Sequence, residues 1–234
     1  SGIFHAESDS GSLTVNSIYG YTIWIESSRD NTFKAANDLT FNISEMWADA
    51  GGPLSLIATS GDINIIGFGE GTAAIRTDVS DWISNDAGAL TLSARGSINA
   101  SGAVLIASGK DGWGSSYDAM PDGGQGGVVT LIATNGNIRV GSINVAGGKG
   151  QDYADVEGDK YLSGNGGNAG SAFVNLNSTG SSSLQLDSFS GAGGAAGLDV
   201  SPKSAGSSSS LSVSAAGSLT LGGSGLSVFG GDYP

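Results

Sequence analysis

The sequence predicts an all-β chain: one domain over residues 1–234, folded as a parallel β-helix of about six three-strand coils with long glycine-rich loops along one edge. Three observations predict it. One short phrase recurs from end to end: an apolar-x-apolar pair, a small residue, a glycine and a second apolar-x-apolar pair. Its glycine keeps one offset, four or five residues behind the second apolar position. No segment shows the 3.6-residue apolar period over about ten positions that a helix needs.

The six units start near Leu13, Leu54, Leu90, Val129, Val174 and Leu211, at intervals of 41, 36, 39, 45 and 37 residues. In the first unit, 13–15 is the first strand and 21–25 the second, and 39–43 supplies the third after a detour through 29–37. The second unit has a short third strand at 73–77. The third unit divides cleanly into strands 89–94, 97–100 and 103–107 and a loop 108–127. The fourth repeats it as 128–133, 137–140 and 142–146, with a loop to 170. Each piece alternates apolar with other residues, the signature of a strand with one buried face.

A small residue follows each first strand: Ser17, Ala58, Ala94, Ala133, Ser178 and Ala215. Behind it stand Gly20, Gly61, Gly96, Gly136, Gly180 and Gly217, expected to mark corners whose backbone angles only glycine adopts freely. Three strands per turn stack like residues along the axis at about 4.8 Å per coil. The expected core is therefore a set of Leu, Val and Ile ladders. A β-sandwich also uses many short strands and glycine turns, but it does not explain the constant glycine offset.

Composition narrows the function classes. Asp and Glu number 22 against 9 Lys and Arg, so no basic stripe is available for phosphates and nucleic acid is not an expected partner. Cysteine is absent, which removes disulfides and thiolate metal sites. No apolar run approaches the roughly 20 residues of a membrane span. Glycine is abundant, at 41 residues, but the periodic apolar pairs argue against a disordered chain.

The phrases Gly88-Ala-Leu-Thr-Leu-Ser-Ala-Arg-Gly-Ser-Ile-Asn-Ala-Ser-Gly102 and Gly127-Val-Val-Thr-Leu-Ile-Ala-Thr-Asn-Gly-Asn-Ile-Arg-Val-Gly141 resemble the repeats of filamentous haemagglutinin-type adhesins. These are the large β-helical exoproteins of bacterial two-partner secretion. The resemblance implies a right-handed β-helix at the cell surface, acting in adhesion or as a fibrous shaft.

Three loops, 109–127, 147–170 and 191–206, should project from one edge. Trp113, Tyr117, Tyr153 and Tyr161 are the candidate glycan-binding residues, because aromatic and acidic side chains together suit sugars. Asp152, Asp155, Glu157 and Asp159 form a carboxylate cluster suited to calcium, the one cofactor considered. The plainer reading is a solvated loop whose aromatics pack on the next loop. No catalytic residue is assigned. The outward second-strand column, Trp24, Asn64, Asn99, Arg139, Gln185 and Thr220, lacks the carboxylate ladder that a polysaccharide-degrading β-helix enzyme would use for acid–base chemistry. The outward first-strand column, Thr14, Ser55, Thr91, Thr130, Asn175 and Ser212, fits ordinary β-propensity.

The last residues joined to 1–12 make a connection of about 18 residues, within the span of the chain's internal connections, and no cap is evident at either end. The expectation is an extracellular structural protein whose chief partner is itself, either stacked head to tail or as a module of a tandem array. A glycan-binding adhesin is the second expectation and a polysaccharide-degrading enzyme a distant third.

Overall fold

The computed structural model describes residues 3–17, 19–49, 51–69, 71–79, 85–113, 122–152, 154–156, 159–161, 163–178, 182–198, 203–221, 226–227 and 230. Side chains at 154–161 and 227 are not described. The strands wind into seven coils among these residues. Coil 1 holds β1 (His5–Ser8), β2 (Leu13–Asn16) and β3 (Ile23–Glu26), and coil 2 holds β4 (Asn31–Ala35), β5 (Leu39–Ile43) and β6 (Glu45–Asp49). Coil 3 holds β7 (Leu54–Ala58), β8 (Ile63–Gly67) and β9 (Ala73–Arg76). In coils 4 to 6 the second and third strands run together: β10 (Leu90–Ala94) with β11 (Ile98–Ile106), then β12 (Val128–Ala133) with β13 (Ile138–Asn144). A short hairpin, β14 (Ala154–Val156) and β15 (Asp159–Tyr161), precedes β16 (Ser171–Leu176) with β17 (Ser183–Ser190). Coil 7 holds β18 (Ser210–Ala215), β19 (Ser218–Leu221) and β20 (Leu226–Ser227).

The pairing is that of a parallel β-solenoid. One wall is a seven-stranded sheet in the order β1-β4-β7-β10-β12-β16-β18. The second wall runs β19-β17-β13-β11-β8-β5-β2. The third runs β3-β6-β9 into the C-terminal half of β11. Registry builds continuous ladders. Leu13, Leu39, Ile63, Ile98, Ile138, Leu184 and Leu219 form one column. Phe33, Leu56, Leu92, Leu131, Val174 and Val213 form another. Every interior member of both is buried, which makes the ladders the core.

Three expectations need correction. The solenoid has seven coils among the described residues, not six, because the first unit contains two. Segment 29–37 is not a detour but carries β4, which pairs with β7. Leu13-Thr14-Val15 is a second strand, stacked on Leu39-Thr40-Phe41. β4 escapes the phrase because its first inward position is Asn31, fully buried, whose Nδ2 donates to Arg29 O at 2.9 Å. Apolar alternation, moreover, does not tell one wall from another.

The fifth unit is offset by two residues. Val174 stands opposite Leu131, so the outward column reads Thr32, Ser55, Thr91, Thr130, Phe173 and Ser212. A two-residue slip keeps the same face inward, so alternation is blind to it. At this register Gly170 packs on Gly127 and donates to Val145 O at 2.7 Å.

Four of the corner glycines act differently from expectation. Gly61, Gly96, Gly136 and Gly217 have no positive φ; positive-φ glycines among the described residues are Gly20, Gly51 and Gly69. A Cβ on Gly61 would stand 2.2 Å from Asp38 Oδ1, and one on Gly217 2.1 Å from Ser182 O. Gly20 has the expected left-handed backbone, whereas Gly61, Gly96, Gly136 and Gly217 are needed for close approach between coils. Gly180 lies outside the described residues.

Candidate functional site

The long loops form an ordered edge of the solenoid. Segments 107–112, 122–127, 145–152, 163–170, 191–198 and 203–209 lie outside the sheets. Their bonding has a period of three. Gly164, Gly167 and Gly170 donate to Gln151, Gly148 and Val145 O at 2.9, 2.8 and 2.7 Å, antiparallel to the outgoing arm of the same loop. Gly166 and Ala169 donate to Ser204 and Ser207 O in the next coil, at 2.8 and 3.0 Å. Asn165 and Asn168 N–H go to side chains of the preceding coil, Asp122 Oδ1 at 2.7 Å and Gln125 Oε1 at 3.1 Å. Three neighbours served in rotation are the bonding expected of a threefold extended helix such as polyproline II. The glycines allow the backbones to touch: a Cβ on Gly167 would lie 1.9 Å from Gly124 O, and one on Gly124 1.6 Å from Asn85 O.

Side chains complete this bundle in ladders along the axis. Asp86 Oδ1 accepts from Gln125 N, and Asn168 Oδ1 accepts from Ser207 N. Asp111 Oδ1 accepts from Lys149 N at 2.7 Å and Asp152 Oδ1 from Leu198 N at 2.9 Å. The solenoid's first corner uses the same device: Asp38 Oδ1 takes Asp62 N, Asp62 Oδ1 takes Ser97 N, and Asn137 Oδ1 takes Ser183 N. Loop carboxylates therefore work as acceptors for backbone N–H groups that a threefold helix leaves without a neighbour.

The sequence-selected residues fall as follows. Trp113 is half-buried; its Nε1 donates to Asn85 Oδ1 at 3.0 Å and Lys110 Nζ lies 5.6 Å from its ring centroid. Asn85 in turn donates to Asp122 O at 2.8 Å, so the indole ties neighbouring loops together. Tyr117, Tyr153 and Glu157 lie outside the described residues. Asp155 and Asp159 sit on the β14–β15 hairpin, opposite Lys160 and Val156, and Tyr161 ends it. Asp152 also takes Lys149 Nζ at 2.9 Å; the Leu198 N–H and then this ammonium hold its carboxyl below the ordinary aspartate range. Among the described residues no three His, Asp or Glu side chains converge on a metal-sized site.

The outward second-wall column runs Asn64, Asn99, Arg139, Gln185 and Thr220 as expected, but Trp24 is not in it. Trp24 belongs to the third wall, stacked on Trp47 with ring centroids 4.6 Å apart. The Arg76 guanidinium covers the ring of Trp47 at 4.2 Å, and its Nη1 pairs with Glu45 at 2.9 Å while Nε bonds Asp78 Oδ1 at 2.9 Å. The bond to Asp78, reinforced by Glu45, holds Arg76 firmly charged. The sequence signal for this stack was the apolar-Trp-apolar triplet, Ile23-Trp24-Ile25 and Met46-Trp47-Ala48.

The two ends are the remaining surface of consequence. On the first coil Phe4 is exposed and Ala6, Leu13, Val15 and Ile23, all members of core columns, are only partly covered. On the last coil Leu211, Val213 and Ala215 are partly covered, and Leu219, Leu221 and Leu226 are exposed at 47, 42 and 40%.

No family model matches the chain, and no curated protein or solved structure is significantly similar to it. The fold and these surfaces define a parallel β-solenoid with a glycine-rich edge bonded at a period of three and partly covered apolar residues on its first and last described coils.

Proposed function

We propose that the protein is an extracellular structural protein, a β-solenoid subunit or module of a surface fibre that stacks head to tail. One observation carries this reading: the two ends leave the same columns uncovered. Leu219 and Leu13 terminate one ladder, Val213 and Ala6 a second, and Leu226 and Ile23 a third. Placing the last coil of one copy on the first coil of the next continues each ladder in phase. It also pairs strand edges that are otherwise templates for addition. Each half-exposed leucine so covered contributes about 1 kcal/mol. The likeness to two-partner-secreted repeats and the absence of cysteine support a place at the cell surface.

Electron microscopy and light scattering of the purified chain test the reading. Fibres with an axial periodicity are expected, and Leu219→Asp should reduce them to monomers with an unchanged β-sheet circular dichroism spectrum. A wild-type chain that stays monomeric at high concentration, or a Leu219→Asp variant that still forms fibres, would overturn it.

A further inference from the structure

We propose that the corner between the first and second walls carries a binding site for a carboxylate-bearing sugar of an acidic glycan, with Arg95 as its counter-ion. The site arises from unequal corner lengths. In coil 4 three residues, 95–97, join β10 to β11, whereas in coils 3 and 5 four residues, 59–62 and 134–137, make the same turn. The shorter corner leaves a groove of about 510 Å³ between its longer neighbours, with Thr59 on one side, Arg95 in the middle and Thr134 and Asn135 on the other. That volume suits a small ligand. Registry fixes the order, since Ala58, Ala94 and Ala133 stand above one another where the three corners begin. Arg95 N donates to Ala58 O at 3.1 Å and Asn135 N to Arg95 O at 2.8 Å, so the corner backbones are tied together and the groove is preformed. Coils 3 to 5 all have a described coil on either side.

The chemistry of the groove runs against that of the chain. Acidic residues outnumber basic ones 22 to 9, yet among the described residues no carboxylate lines it. Arg95 is exposed, and among the described residues its guanidinium has neither an ion pair nor a hydrogen bond. Asp62, at the same corner, is already engaged, its Oδ1 accepting from Ser97 N at 2.6 Å. The adjoining groove, across Thr59 and Ser60, shows the completed arrangement: its cation, Lys34, is paired with the carboxylate of Glu7. A carboxylate is what the Arg95 groove lacks.

A guanidinium holds a carboxylate through two parallel hydrogen bonds. Around it the Ser93 and Thr134 hydroxyls and the Asn135 amide make no hydrogen bond among the described residues, which leaves donors and acceptors for the hydroxyls of a sugar ring. Ile57, half-buried on the outward face of β7, offers an apolar patch to the ring's C–H face. An acidic peptide fits less well. The strands of coils 3 to 5 are paired on both sides, so no edge is free for a peptide backbone.

The test is calorimetric titration of the whole chain with the trisaccharide of galacturonic acid, which reads binding alike on monomers and on fibres and so does not depend on stacking. Saturable binding at one site per chain is expected. The fully methyl-esterified trisaccharide keeps the rings, removes the charge and should not bind. Arg95→Gln should abolish binding and Arg95→Lys weaken it several-fold, since an ammonium cannot form the fork. Arg139→Gln removes another exposed, unpaired guanidinium, on the second wall and outside the groove, and should leave the affinity unchanged. Circular dichroism of each variant should match the wild type. No saturable binding, an unchanged affinity in Arg95→Gln, an equal loss in Arg139→Gln or equal binding of the methyl ester would overturn the proposal. Equal binding of acetate or of acetyl-Gly-Asp-Gly-amide would also overturn it, because the groove would then be a general anion site.

Discussion

The walls of the solenoid and its glycine-rich edge are both made of extended chain bonded to copies of itself one coil away, yet they are held together by different forces. In the walls, bonding has a period of two, and every second side chain enters a dry core of Leu, Ile, Val and Phe. In the edge the period is three, and the interior is backbone against backbone with almost no side chain inside. The walls gain from the hydrophobic effect. The edge rests on dispersion at very short range and on hydrogen bonds whose donors would be costly to leave unpaired. The lesson is that a glycine-rich sequence forms an ordered element when it is anchored at each coil to a scaffold of fixed rise, which removes much of the entropy that such a chain must lose.

The largest expected effect tests the walls. Leu92→Asp or Leu131→Asp places a charge at a position that is 0% exposed, a change of well over about 4 kcal/mol. Loss of cooperative unfolding and of the β-sheet circular dichroism signal is expected. Either variant unfolding like the wild type would remove the inward assignment and the contrast with it.

An intermediate effect should be confined to the edge. Gly167→Ala puts a methyl 1.9 Å from Gly124 O, with an expected cost of about 1–3 kcal/mol. Hydrogen exchange should speed at Gly164, Gly166, Gly170 and Gly194 while amides of β10 and β12 keep their protection. Equal acceleration in the walls would show that the two regions unfold as one unit.

The smallest effect concerns pH. Asp152 titrates below the ordinary aspartate range because the folded edge stabilises its charged form through Leu198 N–H and Lys149. Its contribution is therefore fully present above that range and is lost as pH falls through its lowered value. The protection factor of the Leu198 amide should drop over that acid interval. Asp152→Asn retains a neutral acceptor and should flatten the dependence, whereas an identical pH profile in the variant would assign the effect elsewhere.

How far the sequence could be read follows from what each feature depends on. Inward positions such as Leu56, Leu92 and Leu131 were legible because burial imposes a strict period on one strand. Asn31 hid a whole coil because its Nδ2 finds acceptors within the core, Arg29 O and Pro53 O at 2.9 and 3.3 Å, at a position where the next two coils use Leu54 and Leu90. Phe173 faces outward in place of Asn175 because strand parity leaves a two-residue slip undetermined. Trp113 was visible as an aromatic in a long loop, but its engagement with Asn85, 28 residues earlier, was not. Trp24 was assigned to the second wall, and its partners Trp47 and Arg76 were not recognised, since a stack across coils of unequal length has no fixed spacing.

By itself the sequence determined that this chain is a stacked, parallel, all-β solenoid with its loops on one edge, because alternation and recurrence are local properties that each strand must satisfy alone. Only the tertiary structure decided how many coils there are, which residue stands above which, and what the glycine-rich loops become. Those depend on contacts between segments about 25 to 45 residues apart. There the rise of one coil, the clash of a single Cβ and the need of each buried N–H for an acceptor choose among registers that the local pattern leaves equivalent.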